Sequence, residues 1–487
     1  MPSIKKNYFF NTIFIVLNTL IPLVTIPYLN RTLGPESMGK VTFAISFIMY
    51  FSTISGLINP LFSMREISKF RDMANKKDRI FSQLFFLNML IKIFTIIIYL
   101  GIVFFLEKTK TNILLYFIIG THLFFEIFSI EWTYQAHEEY GKIVSRNILC
   151  KLISVLMIFM LIRKSGDYYW YAVSTIVAMS LPFLFNFVLK GNLIRFKFSE
   201  LNFSEMFGFL KGSFYLYLLK LFENFFSNID KLLLGFMAGN TYLGLYNIAD
   251  KVILLSTSFS TSLTTVLIPR ISYLYYKNEI QNLYDKLDKA FKFILFITLP
   301  LMSGIFVVAP EIIAFFGDER YFSSMVTLRI LSFNLLLLTL CNFLAYQINI
   351  PTGKEKFNIF GNILSLITAL ISMPFLSKFF YHNGAAISMV LSLTIQLIFL
   401  LIFSWKVAKN IFLDIKNLKY LIGAIITGIT LFYTQGLINI KIVVIRLLIS
   451  GLVGGIVYLL FLILIKDSVL LEIFNVIKEY ISKFKKI

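Results

Sequence analysis

This sequence is short of charge. Only 15% of its 487 residues are charged, against 58% hydrophobic, and the mean hydropathy is +0.79. Soluble domains carry about 25% charged residues, so a soluble globular fold is excluded. Cysteine is scarce as well: Cys150 and Cys341 stand alone, each beside or within an apolar run. Two such positions provide neither a disulfide framework nor a metal-ligand spacing. A zinc motif, a nucleophile elbow and an acidic metal cluster are all missing. Long outward-facing loops are missing too, none exceeding roughly a dozen residues, which is short even for ordinary connections. An enzyme is therefore not expected, nor a cofactor or a bound metal.

What the sequence has instead is apolar runs of membrane-spanning length. Roughly 20 residues of helix cross about 30 Å of hydrocarbon. Fourteen such runs occur, near residues 7–29, 40–62, 80–106, 112–134, 143–162, 168–189, 212–235, 244–268, 293–316, 326–350, 357–377, 383–405, 418–437 and 442–465. Their length predicts helices rather than barrel strands, hence an all-α polytopic membrane protein. Lys5 and Lys6 precede the first run and Asn30-Arg31-Thr32 follows it, the pattern of a retained signal anchor. The net charge of +20 reads as topology rather than nucleic-acid binding, since roughly two thirds of the 46 lysines and arginines fall on one side of the predicted membrane. Both termini are expected in the cytoplasm.

One stretch invites a different reading. GPESMGK, residues 34–40, fits a phosphate-binding loop, but Val41 stands where that loop needs a hydroxyl, and the topology puts the stretch outside the cell. Its meaning comes from an internal repeat. GPESMGKVTFA (34–44) is answered by GNTYLGLYNIA (239–249), and the same offset carries Arg65 onto Arg270. Tyr134-Gln135 with Gly141-Lys142 is matched by Tyr346-Gln347 with Gly353-Lys354. These pairs predict a duplicated six-helix unit, with lobes at 1–200 and 201–409 in parallel repeat around a central cavity and two added helices in 410–487. Two rocking lobes are a transporter's architecture. Both glycines of each copy are expected to make the turn between the first two helices of a lobe.

Polar residues within spans are expensive and normally face a bundle interior or a wet cavity. In the seventh run Lys220, Glu223, Asn224, Ser227, Asp230 and Lys231 share one helical face. Asn18 and Thr25 in the first run, and Ser46, Tyr50 and Thr53 in the second, extend the predicted lining. Lys92 is a cavity cation with no partner apparent in sequence, whereas Lys151 lies less deep and is placed to snorkel. His122 and Glu126, one turn apart, form either a proton relay or a structural hydrogen-bonded pair. Arg65 and Arg270 serve either as topology anchors or as functional cations.

LIPLVTIPYLNRTLGPESMGKVTFAISFIMYF (20–51), REIS (65–68), NIDKLLLGFMAGNTYLGLYNIADKV (228–252) and the paired YQ and GK elements resemble the Wzx-type polysaccharide flippases. These belong to the multidrug/oligosaccharidyl-lipid/polysaccharide exporter superfamily. The resemblance implies transfer of an undecaprenyl-pyrophosphate-linked oligosaccharide from the cytoplasmic to the outer leaflet of the bacterial inner membrane, alongside polysaccharide polymerase and chain-length proteins. It assigns pyrophosphate binding to cations such as Lys92, Lys220 and Arg270, with Arg65, Lys151, Asn18, Asn224 and Ser227 completing the polar lining. Glu223, Asp230, Glu126 and His122 become the candidates for ion or proton coupling. The prenyl tail stays in lipid or in a groove beside the last two spans. The same superfamily's cation-coupled drug exporters and lipid II-type flippases are the alternatives.

Overall fold

The computed structural model describes residues 4–261, 271–277, 279–437, 440, 442–472 and 474. Among these, every regular element is helical, and ten helices are long and apolar enough to cross a membrane. The protein is an all-α, multi-pass membrane protein. It divides into two compact units, Met1–Gly244 and Leu245–Ile487. The six-helix lobes read from the repeat are a different division and stay a proposal.

The first unit comprises α1 (Ile4–Ile54), α2 (Pro60–Lys69), α3 (Ala74–Phe105), α4 (Glu107–Lys110), α5 (Ile113–Glu126), α6 (Glu131–Ala136), α7 (Tyr140–Leu161), α8 (Tyr168–Val188), α9 (Phe203–Met237) and the start of α10 (Asn240–Thr261). At 51 residues α1 would be roughly 75 Å long if straight, far more than one crossing needs. It is broken at Gly34, where φ is 75°, and Gly239 before α10 has φ of 90°. Both lie in the backbone region that favours glycine.

Gly39 and Gly244 have a different role from the expected turn. A Cβ on Gly39 would fall 1.7 Å from the Asn240 carbonyl oxygen, and one on Gly244 would fall 1.9 Å from the Pro35 carbonyl oxygen. The residue after the turn glycine of each repeat copy thus lies against the second glycine of the other copy. Only residues without side chains let the two backbones cross this closely.

The second apolar run ends earlier than expected. α1 stops at Ile54, and Asn59-Pro60 opens α2, with the Asn59 side chain accepting from the Leu61 N–H (2.9 Å) and proline at the first helical position. The intervening backbone is braced by α9. Ser213 Oγ accepts from the Asn59 N–H (2.8 Å) and donates to the Leu57 carbonyl (2.8 Å), while Asn59 Nδ2 donates to the Leu216 carbonyl (3.2 Å). The fourth run is interrupted as well: α5 ends at Glu126 and α6 begins at Glu131. α6 buries Trp132 and Tyr134 among Phe81, Leu84, Ile194 and Met206. Tyr346-Gln347, the repeat partner of Tyr134-Gln135, lies in the π-helical stretch Phe343–Asn349. Tyr134-Gln135, by contrast, lies within the short α-helix α6.

The second unit contains helices Ile280–Val307, Ala309–Phe316, Ser324–Asn342, Lys356–Phe412, Leu418–Leu437 and Val443–Leu464. The fourth of these, 57 residues long, is broken at Tyr381 (φ 47°, ψ −123°). Leu287, Phe291, Ile294, Leu344, Leu400 and Tyr420 share one core. Asp467, whose side chain is fully buried, fastens the final helix pair at one end. Lys419 pairs with it, Tyr420 Oη donates to its Oδ2 (3.0 Å), and the N–H groups of Val469 and Leu470 donate to its Oδ1 (2.9 and 3.0 Å).

Burial alone would raise the Asp467 carboxyl, but bonds from Lys419, the Leu470 N–H and Tyr420 outweigh it and hold the group below the usual carboxylate range. A depressed folded-state value stabilises the fold above the unfolded value, roughly 3.9, and that stability is lost as pH falls through the folded value. Asp467→Asn is expected to cost about 3 kcal/mol at neutral pH. Thermal unfolding in detergent checks this: the variant should melt below the wild type at neutral pH, and the gap should close under acid.

Candidate functional site: a polar cavity in the first unit

The breaks after Ile54 and after Glu126 border one cavity of about 230 Å³. Ser52 and Thr53 at the end of α1, Gly56 and Asn59 in the break, and Asn88 and Lys92 from α3 line it. Glu126, Ser129 and Trp132 contribute from α5 to α6, and Tyr217, Lys220 and Asn224 from α9. Lys220 stands at the midpoint of α9.

Lys92 is 3% exposed, and a lone ammonium at that depth would be strongly disfavoured. It is not alone. Its Nζ lies 2.7 Å from Glu126 Oε2 and donates to Ser55 Oγ (2.8 Å), while Ser52 Oγ donates to Glu126 Oε1 (2.9 Å). Two expectations are corrected here: Lys92 has a partner, and that partner is the carboxylate expected beside His122. His122 Nδ1 instead lies 2.8 Å from Ser180 Oγ on α8. The reason is local. Glu126 is the last residue of α5, where the chain leaves the helix and its carboxylate reaches α3, whereas His122 is inside the helix and packs toward α8.

The polar stripe of α9 divides among several tasks. Lys220 Nζ pairs with Glu223 Oε2 at 3.1 Å, but both side chains are about half exposed, so the pair is weak and the ammonium remains accessible. Asn224 Nδ2 donates to Thr53 Oγ1 (3.3 Å), tying α9 to α1. Ser227 donates to the Glu223 carbonyl of its own helix (2.8 Å). Asp230 is 2% exposed and lies 3.4 Å from Lys231 Nζ. Of the six stripe residues, only Lys220 and Asn224 line the cavity.

Lys151 Nζ donates to Asn18 Oδ1, joining α7 to α1. Neither residue lines this cavity, so the expected contribution of the first run does not reach it. Arg65 is exposed on α2 and Arg270 lies outside the described residues. The sequence reading missed Ser52, Ser55, Asn59 and Tyr217. The Asn-Pro pair at 59–60, an N-cap followed by the first helical position, was the available sign that the second run breaks and turns its backbone toward a site.

Residues 4–275 match the family described as polysaccharide biosynthesis protein, and residues 217–375 match the MatE family. The putative O-antigen transporter of Shigella dysenteriae is 22% identical over 417 residues, covering 83% of this chain and 100% of its own. That of Escherichia coli K12 is 21% identical, covering 80% and 93%. Among solved structures, lipid II flippase MurJ in an inward closed conformation superposes with a TM-score of 0.76 over 94% of this chain and 98% of its own, at 17% identity. That likeness establishes the shared fold.

Proposed function

The chain belongs to the polysaccharide biosynthesis protein family, and from that premise we propose that it flips an undecaprenyl-pyrophosphate-linked oligosaccharide across the membrane by alternating access. The observation that carries this reading is the cavity with Lys92 and Lys220, a chamber holding two ammonium groups and the Glu126 carboxylate among hydroxyl, amide and apolar side chains. Lys220, weakly held, meets the pyrophosphate first through charge-assisted hydrogen bonds. Lys92 joins when Glu126 yields it to the competing anion. Thr53, Asn88 and Asn224 offer the hydroxyl and amide groups that sugars need.

The second unit has an apolar groove of about 680 Å³ lined by Phe296, Pro300, Leu301, Leu431, Leu447 and Tyr458, among others. It runs beside the last two helices and suits the prenyl tail. The names of the O-antigen transporter relatives support a glycan cargo, and a drug exporter would favour an acidic pocket over this one. The proposed setting is the bacterial inner membrane with both termini cytoplasmic, beside a polysaccharide polymerase and chain-length proteins.

The test is reconstituted flipping of a labelled lipid-linked oligosaccharide in proteoliposomes. Lys220→Ala is expected to lower the initial rate by about tenfold, the loss of one charge-assisted bond. An unchanged rate would remove Lys220 from the site.

A further inference from the structure

A second groove lies in the first unit, apart from the polar cavity. Phe85, Met89, Ile93 and Ile97 of α3 face Phe124 and Phe128 across it, in a volume of about 600 Å³ that exposes no polar surface. Ile93, Ile97 and Phe124 are 42%, 63% and 53% exposed, so the groove opens outward where α3 crosses the bilayer. From Phe85 to Ile97 it runs roughly 18 Å along α3. Half of a hydrocarbon core about 30 Å thick is about 15 Å, so the groove matches the depth of a single leaflet.

One end is aromatic and basic. Phe85, Phe128 and Phe196 all pack around Phe187, with ring centroids 5.0–5.8 Å from it. Lys190 Nζ stands 5.6 Å from the Phe187 ring and 5.3 Å from the Phe196 ring. Arg146, beside the same end of α8, is already engaged, donating to Asn186 Oδ1 (2.9 Å) and to the Leu189 carbonyl (3.2 Å). Arg195, exposed, follows one residue before Phe196. Its backbone N–H is held by Asp78 Oδ1 (3.2 Å), which is 7% exposed. Among the described residues, neither Lys190 nor Arg195 forms a side-chain ion pair. Cations without carboxylate partners at the end of an apolar channel of leaflet depth complement an anionic head joined to a hydrocarbon chain.

We propose that this groove is a binding site for an anionic glycerophospholipid, with one acyl chain between α3 and α5 and the phosphate at Lys190 and Arg195. The site does not depend on the cargo reading. The lipid is a resident of the leaflet on the basic side, and it fills a seam that the side chains of α3, α5 and α8 leave open.

The experiment is native mass spectrometry of the purified full chain, with phosphatidylglycerol or phosphatidylcholine added at equal concentration. Wild type should retain phosphatidylglycerol about thirtyfold better, the selectivity two basic groups provide near an anionic head. Lys190→Gln with Arg195→Gln should bring retention of the two lipids near parity. Ile97→Trp, a change at an exposed position that fills the groove and leaves the charges, should lower retention of both. Equal retention of the two lipids by wild type, or full selectivity in the double variant, would overturn the proposal. So would displacement of phosphatidylglycerol by equimolar undecaprenyl phosphate, which would assign the groove to the cargo's tail. Because the readout is lipid retention, failure here leaves the flipping assay intact.

Discussion

Gly39→Ala is expected to give a protein that inserts poorly or melts many degrees below wild type. The added carbon would sit 1.7 Å from the Asn240 carbonyl oxygen and 2.6 Å from its carbonyl carbon. These are backbone atoms, so no rotamer change relieves the overlap, and α1 must move away from the start of α10. Overpacking of a close-packed interior costs about 1–3 kcal/mol when side chains can adjust, so a backbone clash belongs at or above the top of that range. Gly244→Ala should be nearly as harmful, since its carbon would lie 1.9 Å from the Pro35 carbonyl oxygen. The same outward shift relieves both, so the double variant should be less destabilised than the two single effects added together. Gly101→Ala, where nothing lies within 4 Å, is the control and should melt with the wild type. A Gly39→Ala protein with the control's melting temperature would mean that the crossing is looser than described.

The second large effect concerns the ion pair in the cavity. Lys92→Met leaves Glu126, only 18% exposed, without its cation, and breaking a buried pair from one side costs about 3–5 kcal/mol. Glu126→Gln leaves an ammonium 4% exposed without its anion and should cost a similar amount. Lys92→Met combined with Glu126→Gln removes both charges, and stability is expected to return to within about 1 kcal/mol of wild type. Thermal unfolding of all four proteins measures the coupling. Flipping separates structure from function: if Lys92 serves the pyrophosphate, the double variant regains its fold but not its transport rate. A double variant that flips at the wild-type rate would reduce the pair to a structural fastener.

Much of the fold was legible because the bilayer reads one-dimensional information. Apolar length, the lysine and arginine distribution and the paired glycine motifs are properties of the chain taken in order. They led to helices, to a transporter architecture and to the family resemblance. The glycine reading was half right for a physical reason. A positive φ is a local demand, and Gly34 and Gly239 meet it. A backbone crossing is a demand made by a distant segment, and nothing next to Gly39 announces that Asn240 will lie against it.

The site divides along the same line. That Lys92, Glu126, Lys220 and Asn224 are costly in lipid follows from their identity, so their need for shelter was determined by the sequence alone. Which group shelters which was decided in three dimensions. Helical spacing joined His122 to Glu126, but the end of α5 directed that carboxylate to Lys92 on α3 and left His122 to Ser180 on α8. The sequence by itself determined that this is a helical membrane protein with buried charge. Only the tertiary structure decided the pairings, because an ion pair between helices depends on how each helix ends and rotates, and periodicity within one helix carries no record of its neighbour.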